Sequence, residues 1–522
     1  MTAPNPSKGR TEEKTELLKG SVFMSISPVT SLVMGLLVTW VIQVYITPEQ
    51  YGVFEWFNVL SSFFITIIPF QLPNALGRYI AVSRGENNET TVEGLVKTST
   101  MLALVLVPLS GLTSIIFTPY VLAGVGVTTG FSYLDILIFT FGVMSLNLSA
   151  FTVGITSGFQ EFKKLGIGNF LSNTISQTAV VILILTGWGI QALLLKFVLT
   201  GLILSIFLSS TLRKIWSLKG SKYSLRPLIS FAYPAILAFL IAYTLNELLI
   251  RAIFQYYSDL GYTAELGLFG FASRLMTFIN ALTLGYYNTL GIFYSEAFGY
   301  GGKDQLNIEV KWTLKMSFFL FMPIIIGSVI ISPAIFLIVF PSYYWAYLYF
   351  SILMFQLVFY LFVRPYTSIL GALAKTKQVL ASAITASIVS AFGMYLAMNY
   401  GLIVTVIAYS SGSFIQALVT AFWVKFDAKI NLGIRQVLPI TFISLFSILP
   451  AAVIHFLRLN PFLELLIIGA MFIVLYIGCI RYLGWIRASE IQKATLFLPK
   501  KLSKPAASLM IRIFTRETSS DD

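Results

Sequence analysis

Charged residues stand well inside long apolar stretches of this chain, among them Lys196, Arg251, Arg274, Arg364 and Glu247. Charge at hydrocarbon depth is costly, usually faces an interior cavity, and marks a pathway by default. A guanidinium presents planar, paired N–H donors that match two oxygens of a phosphate, so arginines placed this way point to an anionic cargo. Arg274 and Arg364 begin about 12 Å and about 10 Å from the nearer ends of their stretches, at about 1.5 Å rise per residue. For Arg274 the competing account is a structural pair with a buried carboxylate; for Arg364, which precedes Pro365, it is reach to nearby headgroups. Lys196 lies about five residues from a loop, within snorkelling distance. Glu247 and Arg251 are one helical turn apart, which allows a local ion pair and leaves open a titrating, ion-coupling role for Glu247.

Other chemistries find no support. His455 is the only histidine and Cys479 the only cysteine, which excludes an intrachain disulfide and any cysteine-cluster metal site. Gly299-Tyr-Gly-Gly-Lys303 lacks the spacing of a phosphate-binding loop and has no strand before it. Neither a cofactor nor a nucleic-acid partner is expected, and enzyme chemistry is not.

The elements that must carry these residues are read from composition. With 57% hydrophobic and 11% charged residues over 522 positions, the chain cannot be a soluble domain. Residues 1–20 carry no apolar core with a small-residue cleavage site, so the first span is expected to direct insertion. Apolar runs of about 20 residues or more recur at 21–46, 52–76, 94–117, 131–156, 167–187 and 191–212, then at 227–254, 266–294, 312–335, 346–371, 378–398 and 402–424, and finally at 437–457 and 461–483. The expected fold is all-α, with fourteen transmembrane helices. Its parts are an N-terminal segment (1–20), an N-lobe (21–212), a basic linker (213–226), a C-lobe (227–424), two further spans (437–483) and a basic tail (484–522). With the N-terminus inside, the outer loops contain only Arg458 of the 35 Lys and Arg, and both ends are cytoplasmic. That segregation accounts for the net charge of +13. The tail mixes aromatic and basic residues, as an interfacial helix or a solvated segment would.

The two groups of six spans look duplicated. Gly52-Val-Phe-Glu-Trp56 opens the second span as Gly267-Leu-Phe-Gly-Phe271 opens the eighth, and Gly158-Phe-Gln-Glu-Phe-Lys-Lys164 follows the fourth as Gly371-Ala-Leu-Ala-Lys-Thr-Lys377 follows the tenth. Pro28 and Pro234 sit at matching places in the first span of each group. Matched helix breaks in two halves are a sequence pointer to a transporter's central site, which makes these prolines candidate hinges.

Three stretches carry a family resemblance. Thr47-Pro-Glu-Gln-Tyr-Gly52, Leu76-Gly-Arg-Tyr-Ile-Ala81 and Gly158–Lys164 resemble, in type and order, elements of the polysaccharide and lipid-linked oligosaccharide flippases of the multidrug, oligosaccharide-lipid and polysaccharide exporter superfamily. The resemblance covers about residues 18–485. It implies two six-helix lobes around a central cavity and, as cargo, a polyprenyl (pyro)phosphate-linked oligosaccharide; the deep cations of this chain would make that cavity cationic, and rocking of the lobes would move the cargo across the cytoplasmic membrane by alternating access. Substrate would be bound by Arg274, Arg364, Arg251 and Lys196, with membrane lipids and glycan-assembly enzymes as partners. The drug-exporting branch typically carries acidic residues in the spans of its first lobe, where the spans of this chain have only Glu55 and Asp135, both near the outer rim. That departure favours an anionic cargo. Two alternatives stand beside it: an ion-coupled exporter of small soluble molecules, with Glu247 as the coupling group, and a non-transporting scaffold for glycan assembly.

Overall fold

The computed structural model describes residues 34–85, 88–124, 127, 130–159, 161–213, 223–259, 264–373, 375–447, 460–495 and 500–515. Among them every regular element is helical. In chain order these are α1 (Met34–Tyr45), α2 (Pro48–Ile67), α3 (Leu72–Gly85), α4 (Glu89–Gly124), α5 (Tyr133–Gly158), α6 (Phe162–Leu185) and α7 (Ile190–Arg213). Next come α8 (225–259, with a π-helical segment Tyr243–Leu248), α9 (265–301), α10 (Gly302–Val339), α11 (Ala346–Ala372), α12 (Thr376–Ala397) and α13 (Leu402–Phe422). The last are α14 (Ile434–Phe446), α15 (Pro461–Leu483), α16 (Ala488–Thr495) and α17 (Lys500–Phe514). Nine of these helices are long and apolar enough to cross a membrane, and ten if α2 and α3, bent by 46° at their junction, are counted together as one. The shorter α1 and α14, with α8 and α9, bring the helical segments to the fourteen that the sequence pattern expects. The chain is an all-α, multi-pass membrane protein. Its outward faces agree, since Leu104, Val105, Ile206 and Phe442 are mostly exposed, an apolar surface that only lipid would cover.

The chain divides into two compact units, Met1–Phe271 and Ala272–Asp522. The first therefore takes in α8 and the start of α9. The reason is packing within this unit: α8 and the first turns of α9 lie against α2, as the contacts of Gly52, Gly267 and Arg251 below show.

Two departures from regular helix matter for the site. The expected span 52–76 breaks between α2 and α3 by 46°, with Phe70 and Gln71 at positive φ of 55° and 52°. Here α3 packs on α5 through glycine: a Cβ on Gly154 would stand 2.4 Å from the Pro73 carbonyl oxygen, so no side chain fits. The second departure is the π-helical turn of α8, which carries Glu247. Pro234 lies in the α-helical part of α8, upstream of that turn, and Pro28 lies outside the described residues.

In the second unit α13 packs against α11 and α12. The tail also folds back onto this unit. Lys315 of α10 donates to both Glu490 carboxylate oxygens at 2.6 and 2.8 Å and lies 4.6 Å from the Trp485 ring centre, while Phe319 meets Phe514 edge-on.

Candidate functional site

The duplicated motif meets itself in the first unit. Thr47 caps α2 through a reciprocal box with Gln50, so the motif starts at a fixed point. Gly52 then lies against its repeat partner Gly267, where a Cβ on Gly52 would be 3.3 Å from the Gly267 nitrogen. A Cβ on Gly267 would stand 1.7 Å from the Pro48 carbonyl oxygen, so this close crossing requires glycine. One turn further, Glu55 faces its own repeat partner Gly270, whose missing side chain leaves room for the carboxylate.

Arg251 of α8 closes the cluster. Its guanidinium bonds the Glu247 carboxylate at 2.5 Å and lies 3.6 Å from that of Glu55, with its Cζ 5.8 Å from the Phe269 ring centre. The side chains of Arg251 and Glu55 are 8% and 4% exposed, against 36% for Glu247. Burial makes the Glu55 contact the consequential one, because removing either partner would strand a charge away from water. Nearby, the Trp56 indole N–H donates to Gln255 at 3.4 Å, and the Tyr243 hydroxyl donates to the Val59 carbonyl.

The second unit holds a different arrangement. Gln356, Tyr360 and Arg364 recur every four residues on α11, forming a polar stripe on one face of an apolar helix. The Gln356 side-chain amide donates to the Tyr360 hydroxyl at 3.2 Å. The Arg364 guanidinium lies 5.7 Å from the Tyr360 ring centre and 5.9 Å from that of Tyr287 on α9. Contacts to ring faces hold a guanidinium without consuming its N–H donors. Among the described residues the Arg364 side chain makes no ion pair, and its Nε is buried without a hydrogen bond, as is Gln356 Oε1. Arg274 is alike: half-buried, with its Cζ 5.8 Å from the Phe278 ring centre and its buried Nε unbonded.

These two arginines are not brought together. Tyr287, which marks the level of Arg364, lies thirteen residues past Arg274 on the same helix, a separation of about 20 Å at 1.5 Å per residue. They form two stations along one unit. Lys196 sits half-buried on α7 in the other unit. Sequence reasoning missed Glu55 as a partner of Arg251 and missed the uncharged members of the stripe. The four-residue spacing of Gln356, Tyr360 and Arg364 was the available signal.

Other polar side chains of the first unit tie its helices together. Arg78 lies over the Phe231 ring of α8 at 4.6 Å, and Arg84 donates to the Phe159 carbonyl at 2.5 Å, tying α3 to the loop after α5. Asp135 accepts from the Ser132 backbone N–H at 2.6 Å and caps α5. No group of three metal-ligating side chains occurs among the described residues.

These elements define a multi-pass, all-helical membrane protein whose helices carry arginines without ion pairs among the described residues. Comparison with known proteins narrows it. Residues 17–293 match the model of the family described as "Polysaccharide biosynthesis protein", more than half of the chain, and the protein belongs to that family. The match includes Arg251 and Arg274 and stops short of Arg364. A comparison with curated proteins gave no match. Among solved structures, the lipid II flippase MurJ in its inward closed conformation is similar at TM-score 0.64 and 18% identity, over 88% of this chain and 98% of that one. An inward-facing multidrug resistance MATE family transporter of the MOP superfamily is similar at TM-score 0.66 and 14% identity, over 78% and 98%. An outward-facing one gives 0.61 and 17%, over 79% and 96%. The fold is that of these transporters.

Proposed function

We propose that the protein is a flippase that carries a lipid-linked oligosaccharide, held by its phosphate groups, across the cytoplasmic membrane by alternating access. The observation that carries this reading is the pair of arginines, Arg274 and Arg364, each with a buried, unbonded Nε and no carboxylate partner among the described residues. A buried donor left unsatisfied is expensive, and an unpaired cation in a span is retained where something uses it. A pyrophosphate would supply the acceptors, and charge-assisted bonds to it form without a permanent internal competitor. The family's link to polysaccharide biosynthesis, and the lipid II flippase among the structures of similar fold, support a glycan-lipid as the cargo class. Glycan-assembly enzymes would supply it.

Arg251 has a different place in this reading. Its charge is already matched by Glu55 and Glu247, so it holds α8 to α2 and does not bind cargo. Lys196 is kept as an accessory cation. The test is translocation of a fluorescent polyprenyl-diphosphate oligosaccharide in vesicles holding the purified protein. Wild type moves it; Arg274→Ala should fold and insert normally yet slow it by about tenfold or more, the scale of one lost hydrogen bond to a charged group. Wild-type failure to move any glycan-lipid, with proton- or sodium-linked efflux of soluble compounds instead, would favour the exporter alternative and Glu247 as its coupling group. Cytoplasmic termini are part of the proposal. In a Cys479→Ala background, Lys303→Cys and Asn399→Cys should label from opposite sides of the membrane, and same-side labelling would defeat the topology.

A further inference from the structure

A cavity of about 520 Å³ in the second unit is lined by Lys311 of α10, Lys425 just past α13, and Asn431, Arg435 and Gln436 at the start of α14. We propose that this cavity binds the phosphate of an anionic lipid headgroup from the leaflet on the cytoplasmic side, at a site independent of the cargo path.

Three features carry the assignment. The first is uncommitted charge. No carboxylate lines the cavity, and none of the three cations is ion-paired among the described residues. The acids nearby in sequence are engaged elsewhere: Asp427 with Lys375 at 2.5 Å and Gln378 at 3.1 Å, and Glu309 with Gln305 at 3.0 Å.

The second is a preformed wall. The Asn431 backbone N–H donates to Asn307 Oδ1 at 2.7 Å, the Gly433 N–H donates to Asn431 Oδ1 at 3.0 Å, and the Tyr366 hydroxyl donates to the Leu432 carbonyl at 2.9 Å. Gly433 turns the chain at φ 64°, and a Cβ there would stand 3.5 Å from Lys311 Cα, so the start of α14 is held against α10. That start has no side-chain cap, and its open N–H groups add to the positive potential. A rigid, uncapped and cationic concavity suits a phosphate better than a neutral headgroup.

The third feature selects a lipid over soluble phosphate. Phe422, Phe426, Ile434 and Leu438 flank the cavity in sequence and are 52%, 60%, 43% and 48% exposed, an apolar rim that acyl chains would cover. Basic pockets between membrane helices on the cytoplasmic side are where anionic headgroups bind.

The probe is phosphatidylglycerol, with phosphatidylcholine as the neutral control, and retention on the purified full-length protein is read by native mass spectrometry. Wild type should retain phosphatidylglycerol preferentially. Lys311→Gln, Lys425→Gln and Arg435→Gln should each weaken retention by about fivefold, the scale of one basic residue at an anionic membrane surface. Lys311→Arg with Lys425→Arg keeps the charge and should retain the lipid, which separates loss of the site from loss of the fold. Combined, Lys311→Gln, Lys425→Gln and Arg435→Gln should abolish the preference, whereas a control triple, Arg226→Gln, Lys303→Gln and Arg487→Gln, removes equal charge from the same side and should change nothing. Equal loss in the control triple would reduce the site to diffuse surface charge and overturn the proposal. So would equal retention of the two lipids, or full displacement of phosphatidylglycerol by inorganic phosphate, which would make soluble phosphate the occupant.

Discussion

Two arrangements of deep arginine occur in this protein, and they differ in what answers the charge. In the first unit Arg251 is 8% exposed and held between Glu55 and Glu247. In the second, Arg364 rests on the rings of Tyr287 and Tyr360, and Arg274 beside Phe278, with no carboxylate for either among the described residues. Depth alone therefore does not identify a cation that serves a ligand. A guanidinium already matched by carboxylates would have to lose them before accepting a phosphate, whereas one held by ring faces keeps its donors available. The contrast predicts that the first kind fails through folding when mutated and the second through function.

The most disruptive way to break the comparison is to remove the platform on which the first arrangement stands. Gly267→Val places carbon where the Pro48 carbonyl oxygen already lies, a clash with backbone that should exceed the roughly 1–3 kcal/mol of ordinary overpacking. Little monodisperse protein should survive size-exclusion chromatography. Next in size, Arg251→Ala leaves Glu55 buried without its cation, a loss of roughly 3–5 kcal/mol by the measure of broken buried pairs. Thermal unfolding of the purified protein should show it, and Arg251→Lys should recover part of the loss. The smallest effect belongs to Glu247→Gln: that side chain is 36% exposed, and such a pair contributes about 0.3–0.5 kcal/mol. The melting temperature should barely move and transport should persist. Loss of all pH or sodium dependence in that variant would show that Glu247 couples an ion.

Much of this was legible before any coordinates. Spans of about 20 apolar residues announce themselves because hydrocarbon demands that length, and α5, α7, α11 and α15 fall within a few residues of the expected runs. The break between α2 and α3 was not visible as such. It is made by Phe70 and Gln71 at positive φ, residue types that give no hint of that conformation, and only the bracketing Pro69 and Pro73 could have signalled it. Likewise the Glu247–Arg251 pair follows from helical spacing, but Glu55 reaches Arg251 through a crossing of distant segments that no local pattern encodes. The repeat alignment did contain a clue, since it pairs Glu55 with Gly270, and the absent side chain is what admits the carboxylate. At the other site, charge drew attention to Arg364, while Gln356 and Tyr360 were read as ordinary members of an apolar span.

The central claim is that unpaired arginines in the second unit serve cargo and the paired arginine in the first serves structure. It is tested most directly by measuring glycan-lipid translocation per folded protein for Arg364→Ala and Arg251→Ala side by side in reconstituted vesicles. Arg364→Ala should melt like wild type and translocate about tenfold more slowly or worse, with Arg364→Lys intermediate because an ammonium lacks the planar fork. Arg251→Ala should yield less folded protein, but the fraction that folds should translocate at a rate close to wild type. The reverse pattern, a well-folded and fully active Arg364→Ala beside a well-folded and inactive Arg251→Ala, would contradict the account.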